Sequence, residues 1–157
     1  MAVQTLAANG AKVYAAGRRL EVLQQSAKVH ANEHSQVPGE IIPLEMDETD
    51  KDSIQKAFEF IKSKESKLDL LINNAGLPGT RANVSSSEQG AEEFSKQLFS
   101  LPMSDWDSIY KTNVFGYYYV SAAFLPLLVA ANKEDSLHKN KKSEFEQERN
   151  ERQSSSC

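Results

Sequence analysis

The sequence predicts an α/β fold with a parallel sheet. Three short apolar segments, residues 13–16, 41–46 and 68–72, have the composition of buried strands. Helical patterns of one to two dozen residues separate them, and no hairpin turn signal joins any two of them. Strands that alternate with helices in this way are typical of right-handed βαβ crossovers, which produce parallel sheets.

The first helix is predicted over residues 1–9, and Asn9-Gly10 supplies a stop signal of the left-handed type. Strand 13–16 follows and leads into a basic turn, Gly17-Arg18-Arg19. After this turn, apolar residues recur at helical spacing and predict a second helix.

The helix after strand 41–46 has the clearest pattern in the chain, because its apolar residues recur at i, i+3, i+4 and i+7. These residues are Ile54, Ala57, Phe58 and Ile61. Residues 77–103 are rich in Ser, Gly and Pro and predict a loop, interrupted by a short helix over residues 88–98.

A long helix is predicted to begin at Ser104, with Asp107 as its capping partner. Its apolar residues continue to Leu128 and cover more than one face. Such a helix is either enclosed within the fold or partly buried against another subunit. The second alternative predicts a homo-oligomer through residues 105–130.

Composition divides the chain into residues 1–132, expected to form one partial domain, and a charged tail over residues 133–157 that cannot build a core. The chain has 157 residues and 39% hydrophobic content, enough for one modest core. Its formal net charge of -4 does not favour nucleic acid or an anionic membrane as a partner.

The chain contains one cysteine, Cys157, so neither an internal disulfide nor a cysteine-based metal site is expected. The first residues lack the pattern of a signal peptide, and no window is expected to reach the length of a membrane span. We therefore expect a soluble chain without a metal, located in the cytoplasm.

Four segments in the same order resemble the short-chain dehydrogenase/reductase family over about residues 1–132. NNAG at residues 73–76 resembles the motif at the core of the family's sheet, and KTNVFG at residues 111–116 resembles the segment with its catalytic asparagine. LEMD at residues 44–47 resembles the strand end that contacts adenine, and AAGRR at residues 15–19 resembles the turn that selects the cofactor. The resemblance implies a Rossmann-like, doubly wound parallel sheet and hydride transfer between NAD(P) and a carbonyl or secondary alcohol.

The turn Gly17-Arg18-Arg19 predicts NADP rather than NAD as the cofactor. Dinucleotide folds that prefer NAD usually have an acidic side chain at this position for the ribose hydroxyls, whereas an arginine accommodates the 2′-phosphate. Gly17 leaves room for the phosphate, and the guanidinium groups of Arg18 and Arg19 offer forked donors. The alternative is that both arginines solvate the start of a helix, where positive charge is slightly unfavourable against the dipole.

The resemblance also implies which other residues contact the cofactor. It implies an adenine contact for Asp47, which could instead cap the following helix, as could Thr49 or Asp50. The remaining implied cofactor contacts are Asn73, Asn74, Ala75 and Gly76.

Asn113 matches the family's catalytic asparagine, and the resemblance implies that it holds a water in the proton relay behind a tyrosine acid/base. An amide is a poor helix former in an apolar helix and needs a partner if it is buried. The alternative is a structural role in which Asn113 bonds a neighbouring backbone carbonyl.

Three features of the family do not occur in residues 1–157: the TGxxxGxG loop after the first strand, the catalytic serine on its strand, and the YxxxK pair. We therefore expect an incomplete fold that lacks the first strand and the catalytic C-terminal half, as a fragment of an NADP-dependent oxidoreductase would. The alternative is a non-catalytic nucleotide-binding or oligomerisation module that associates with full-length relatives.

Overall fold

The computed structural model of the protein describes residues 2–33, 39–79 and 90–133. In chain order the elements are α1 (Ala2–Ala8), β1 (Lys12–Gly17), α2 (Leu20–Glu33), β2 (Glu40–Glu45), α3 (Lys51–Lys62), α4 (Gly90–Phe99) and α5 (Met103–Lys133). Within α5, an α-helical start (Met103–Tyr110) passes into a π-helical segment (Lys111–Gly116) and then back into α-helix. The predicted charged tail lies outside the described residues from residue 134 onward.

The first two predicted strands form a parallel pair. β1 and β2 are aligned so that Lys12 pairs with Glu40 at one end and Gly17 with Glu45 at the other. Helix α2 joins them, which confirms the predicted βαβ crossover. The Rossmann-like α/β class is therefore confirmed in an incomplete form.

The third predicted strand, residues 68–72, does not form as a strand. The described residues form a two-stranded sheet, and residues 68–72 have no regular secondary structure. In a doubly wound sheet the strands, numbered along the chain, lie side by side in the order 3-2-1-4-5-6. In this numbering β1 and β2 correspond to strands 2 and 3, and segment 68–72 corresponds to strand 4. Strand 1 of that order would lie between β1 and segment 68–72. The described residues contain no such strand, so the segment has no neighbour with which to form a ladder.

Segment 68–72 is instead held by apolar packing and by α5. Leu68 and Leu71 pack against the core, and the backbone N–H of Leu68 donates to the carbonyl of Leu127 at 3.1 Å. Leu70 and Ile72 are exposed. The apolar composition that predicted a buried strand thus places two leucines against the core, although the ladder is absent.

The core forms where α3 meets α5. All four residues of the predicted stripe on α3 are buried, which confirms that prediction. They pack with Met46 and with one face of α5, and the rings of Phe58 and Phe124 meet edge to face at 5.6 Å. The residues that α5 contributes to this core are Val120, Phe124 and Leu127.

The start of α5 differs from the prediction. The helix begins at Met103 after Pro102, which serves as the N-cap residue without a side-chain hydrogen bond, so the predicted Ser104–Asp107 capping pair is wrong. Proline at 102 already has the extended backbone that precedes a helix, and Ser104 therefore lies within the first turn. The short helix predicted over residues 88–98 is confirmed as α4.

Helix α5 is longer and more apolar than expected for a chain with no window of membrane-span length. Its 31 residues include an 18-residue window of mean hydropathy 1.7, so by length and composition it could cross a membrane. The expectation that no window reaches the length of a membrane span is therefore wrong. One face of the helix is nevertheless buried against α3, and core helices of water-soluble domains meet the same criterion.

The loop after α3 is tied to β1 by one carboxylate. Oε1 of Glu65 accepts from the Tyr14 hydroxyl at 2.6 Å and lies 2.6 Å from Nζ of Lys12. The hydrogen bonds from Lys12 and then from Tyr14 hold the pKa of Glu65 below its usual value. This contact fixes the start of segment 68–72 beside the sheet.

We expect Phe124→Ala to lower the free energy of unfolding by about 3–5 kcal/mol, because it removes a buried ring and leaves a cavity. Urea denaturation of the full chain measures this change. Phe99→Ala is the matched control, since Phe99 is 93% exposed and Phe124 3% exposed, and it should leave stability nearly unchanged. Equal losses in the two variants would contradict the assignment of the core.

Candidate functional site

A cleft of about 500 Å³ opens where β1 ends. Five residues predicted to contact a cofactor line it: Gly17, Arg18, Arg19, Ala75 and Gly76. The first three come from the turn between β1 and α2, and the other two from the loop after segment 68–72. The cleft therefore joins two chain segments that are more than fifty residues apart in sequence.

The basic turn lies at the beginning of α2. β1 ends at Gly17, whose carbonyl accepts from the N–H of Met46 at 3.1 Å, and α2 begins at Leu20. The carbonyl of Arg19 accepts from the N–H of Leu23 in the first turn of α2 at 3.2 Å. Arg18 and Arg19 thus supply positive charge at the rim of the sheet, where ligands collect in open α/β folds.

Asp47 is engaged in a local turn. Its Oδ1 accepts from the N–H of Thr49 at 2.9 Å and from the Thr49 hydroxyl at 2.7 Å. The pKa of Asp47 is held below its usual value chiefly by these bonds and, to a smaller extent, by the positive charge of Arg18. Among the alternatives for the cap of α3, the structure has Asp50, whose side chain accepts from the N–H of Asp52.

Asn113 lies in the π-helical segment of α5 and binds the backbone of Leu77 at two points. Its Oδ1 accepts from the Leu77 N–H at 2.9 Å, and its Nδ2 donates to the Leu77 carbonyl at 3.0 Å. One helical turn later, the hydroxyl of Tyr117 donates to the carbonyl of Ala75. The side chain of Asn113 therefore bonds a backbone carbonyl, which is the structural role given above as the alternative to a catalytic one. The residue that it bonds, Leu77, lines the cleft.

Asn73 and Asn74 do not line the cleft. Nδ2 of Asn73 donates to the Ser121 hydroxyl at 2.9 Å, so this side chain is directed to α5. Asn74 is exposed. Of the NNAG motif, Ala75 and Gly76 lie at the cleft and Asn73 anchors the loop.

The loop after segment 68–72 runs antiparallel along α5. Residues 73, 75 and 77 bond to residues 121, 117 and 113 of the helix. Two residues of extended chain advance by about 6.6 Å, and four residues of helix rise by about 6 Å. Because these distances match, alternate residues of the loop meet successive turns of α5.

Two buried polar residues at the cleft were not predicted as site residues. Glu48 and Thr112 are buried and line the cleft next to the predicted set. Each adjoins a predicted residue, Asp47 or Asn113, which is the signal that could have found them. A side-chain carbon on Gly116 would lie 3.1 Å from Glu48, so the glycine lets the loop after β2 approach α5 closely.

The apolar part of the lining was also missed. It consists of Val22, Leu23 and Leu77. Within the described ranges, no group of three or more His, Cys, Asp or Glu residues could hold a metal ion.

Comparison with known proteins identifies the family. The sequence profile of the short chain dehydrogenases matches residues 1–136, so the chain belongs to this family, as predicted. Members of the family are oxidoreductases that bind NAD(P). Short-chain dehydrogenase/reductase PhomF' of Diaporthe leptostromiformis is 37% identical over 132 residues, which are 84% of this chain and 43% of that protein. The chain thus spans less than half the length of this relative.

Solved structures agree with the fold. NADPH-bound carbonyl reductase from chicken fatty liver has a TM-score of 0.55 and 29% identity, over 78% of this chain and 42% of that chain. Alcohol dehydrogenase from the archaeon Thermococcus sibiricus, complexed with 5-hydroxy-NADP, has a TM-score of 0.62, over 82% of this chain and 47% of that chain. Its identity is 18%, so this second likeness concerns the fold alone.

We expect Thr49→Val to raise the pKa of Asp47 toward its ordinary value, because the substitution removes the hydroxyl that is the largest cause of the lowered pKa. An NMR titration of the Asp47 carboxyl measures the shift. Thr49→Ser keeps the hydroxyl and should keep the lowered pKa. Because the folded pKa lies below the unfolded one, the stability from Asp47 is present above the unfolded pKa and lost as pH falls through the folded pKa. Thr49→Val should therefore lose less stability than the wild type on acidification, and identical pKa values in all three proteins would contradict the assignment.

Proposed function

We propose that this chain provides most of the NADP-binding half of a short-chain dehydrogenase/reductase that acts on a carbonyl or secondary alcohol. The observation that carries this proposal is the turn Gly17-Arg18-Arg19, which lines the cleft opposite a loop of small residues, Ala75 and Gly76. The short span of the chain on its relatives supports the view that it is one part of such an enzyme.

The charge of the cleft favours NADP over NAD. Its lining carries the two guanidinium groups of Arg18 and Arg19 and one carboxylate, that of Glu48, so positive charge is in excess. β1 is the second strand of the doubly wound order and ends in Gly17, where an NAD-preferring fold would carry an acidic side chain. Guanidinium groups bind phosphate through paired, charge-assisted hydrogen bonds. The NADPH-bound carbonyl reductase, as a 29% identical relative, adds support.

The residues present fit the adenosine 2′-phosphate end of NADP. Arg18 and Arg19 would hold the phosphate, Asp47 would accept from the adenine amino group, and Ala75 and Gly76 would lie against the nucleotide. When bound, the cofactor supplies or accepts the hydride. Asn113 would orient the water of a proton relay, and Asn73 supports the loop of the cleft through its bond to Ser121. We also propose that the substrate is a carbonyl or secondary alcohol and that the protein is located in the cytoplasm. The single cysteine of the sequence supports this location, because it fits a reducing compartment.

We expect Arg18→Ala to weaken NADPH binding by about 10-fold to 100-fold, the range that corresponds to one hydrogen bond to a charged group, and to leave NADH binding nearly unchanged. Titration of the full chain, followed by Trp106 and nicotinamide fluorescence, measures both dissociation constants. Lys28→Ala is the control, because it removes an exposed positive charge from α2 away from the cleft lining. Equal affinity of the wild type for the two nucleotides, or an equal loss in both variants, would contradict the NADP assignment.

A second candidate function is an oligomerisation module, and the outer face of α5 favours it. Apolar residues recur along this face at helical spacing, opposite the buried face, and Tyr118 and Leu125 are 67% and 55% exposed. The stripe comprises Phe115, Tyr118, Ala122, Leu125 and Val129. A second copy of the chain, or a full-length relative with the same helix, would cover it by pairing α5 with α5.

We expect the wild-type chain to self-associate and the double variant Tyr118→Glu/Leu125→Glu to be monomeric, because two carboxylates would be buried without partners at the interface. Size-exclusion chromatography with light scattering, over a range of concentrations, measures the masses. Phe99→Glu is the control, since Phe99 is exposed but lies outside the stripe. A monomeric wild type, together with no binding to a full-length relative, would reject the module.

A further inference from the structure

Three consecutive tyrosines of α5 have three different environments. The hydroxyl of Tyr117 donates to the carbonyl of Ala75 at the cleft. The ring of Tyr118 is largely exposed, and the ring of Tyr119 lies 4.1 Å from the ammonium group of Lys51. Tyr117 is therefore the member of this run that acts on the loop lining the cleft.

The two contacts from α5 determine how the peptide planes around Gly76 are oriented. In a trans peptide the carbonyl and the N–H point in opposite directions. Tyr117 holds the carbonyl of Ala75, so the N–H of Gly76 faces away from Tyr117. Asn113 holds the N–H of Leu77, so the carbonyl of Gly76 faces away from Asn113.

Gly76 itself lies between these two side chains. A side-chain carbon on Gly76 would lie at van der Waals contact, 3.4 Å from Oδ1 of Asn113 and 3.7 Å from the Tyr117 hydroxyl, so these two side chains line the side of Gly76 next to α5. Both backbone polar groups of Gly76 are left on its other side, and Gly76 is part of the cleft lining.

We propose that Tyr117 is a positioning residue of the cleft: its hydroxyl holds the peptide between Ala75 and Gly76 so that the backbone of Gly76 is offered to the bound nucleotide. This inference rests on the proposed function, because it assigns the residue that prepares the same cleft for the cofactor. A preorganised backbone binds more tightly because its peptide planes are not reoriented on binding.

Tyr117 is not the acid/base of the reaction. Its hydroxyl proton is donated to the Ala75 carbonyl, and the residue four positions on is Ser121 rather than lysine. The Ser121 hydroxyl in turn accepts from Asn73, so this turn of the helix as a whole anchors the loop.

Tyr117→Phe removes the hydroxyl alone and tests the proposal in the full chain. We expect NADPH binding, measured by fluorescence titration, to weaken about fivefold to tenfold, the ratio that one neutral hydrogen bond of ordinary net strength supplies. The thermal midpoint should change little. Tyr118→Phe is the matched control, because it removes the hydroxyl of the adjacent exposed ring, and it should bind NADPH as the wild type does.

Hydrogen exchange of the Leu77 amide, measured without nucleotide, separates this inference from the proposed function. We expect this amide to exchange severalfold faster in Tyr117→Phe than in the wild type and in Tyr118→Phe. If the wild type binds NADPH and Tyr117→Phe binds it equally well, the positioning role is overturned. If the wild type binds no nucleotide, the proposed function fails and the cofactor role of Tyr117 with it, whereas the exchange rates still show whether the hydroxyl orders the loop.

Discussion

The apolar contact between α3 and α5 is the constraint on which the rest of the structure depends. The described sheet has two strands, and a parallel pair of that size is not stable by itself. The stripe on α3 and the inner face of α5 bury each other around the Phe58 and Phe124 rings, and Met46 at the end of β2 joins the same cluster. The position of α5 beside the sheet follows from this packing.

Once α5 is in place, it substitutes for a missing strand neighbour. Segment 68–72 and the loop after it form no ladder, yet α5 bonds the backbone of Leu68, Ala75 and Leu77 and the side chain of Asn73. The three bonds closest to the cleft come from Asn113, which makes two, and Tyr117. A helix can perform this task because the rise of one helical turn is close to the advance of two extended residues. The cleft therefore has one wall whose backbone is held by side chains.

The positive charge of the cleft depends on local structure alone. Arg18 and Arg19 lie between the last residue of β1 and the first residue of α2, so their position is determined as soon as the crossover forms. The sequence alone was sufficient to predict this turn and the buried stripe of α3, because both depend on neighbours along one chain segment. It was also sufficient to predict the family, because four motifs of the family occur in the chain in the expected order. It was insufficient for Glu48 and Thr112, whose burial at the cleft depends on the meeting of two distant segments.

The sequence by itself determined the order of helices and strands, the parallel crossover between β1 and β2 and the basic turn at the cleft, because periodicity and turn chemistry are local properties. Only the tertiary structure decided three other matters. Segment 68–72 has the composition of a strand but forms none, because a ladder requires a neighbouring strand and the periodicity of a segment does not indicate whether one is present. The side chain of Asn73 bonds to Ser121 rather than lining the cleft, and that of Asn113 bonds to the backbone of Leu77, because a partly buried amide takes the partner that packing brings within reach. Tyr117, one of three adjacent tyrosines that the sequence does not distinguish, acquired its contact with Ala75 from the position of α5 beside the loop.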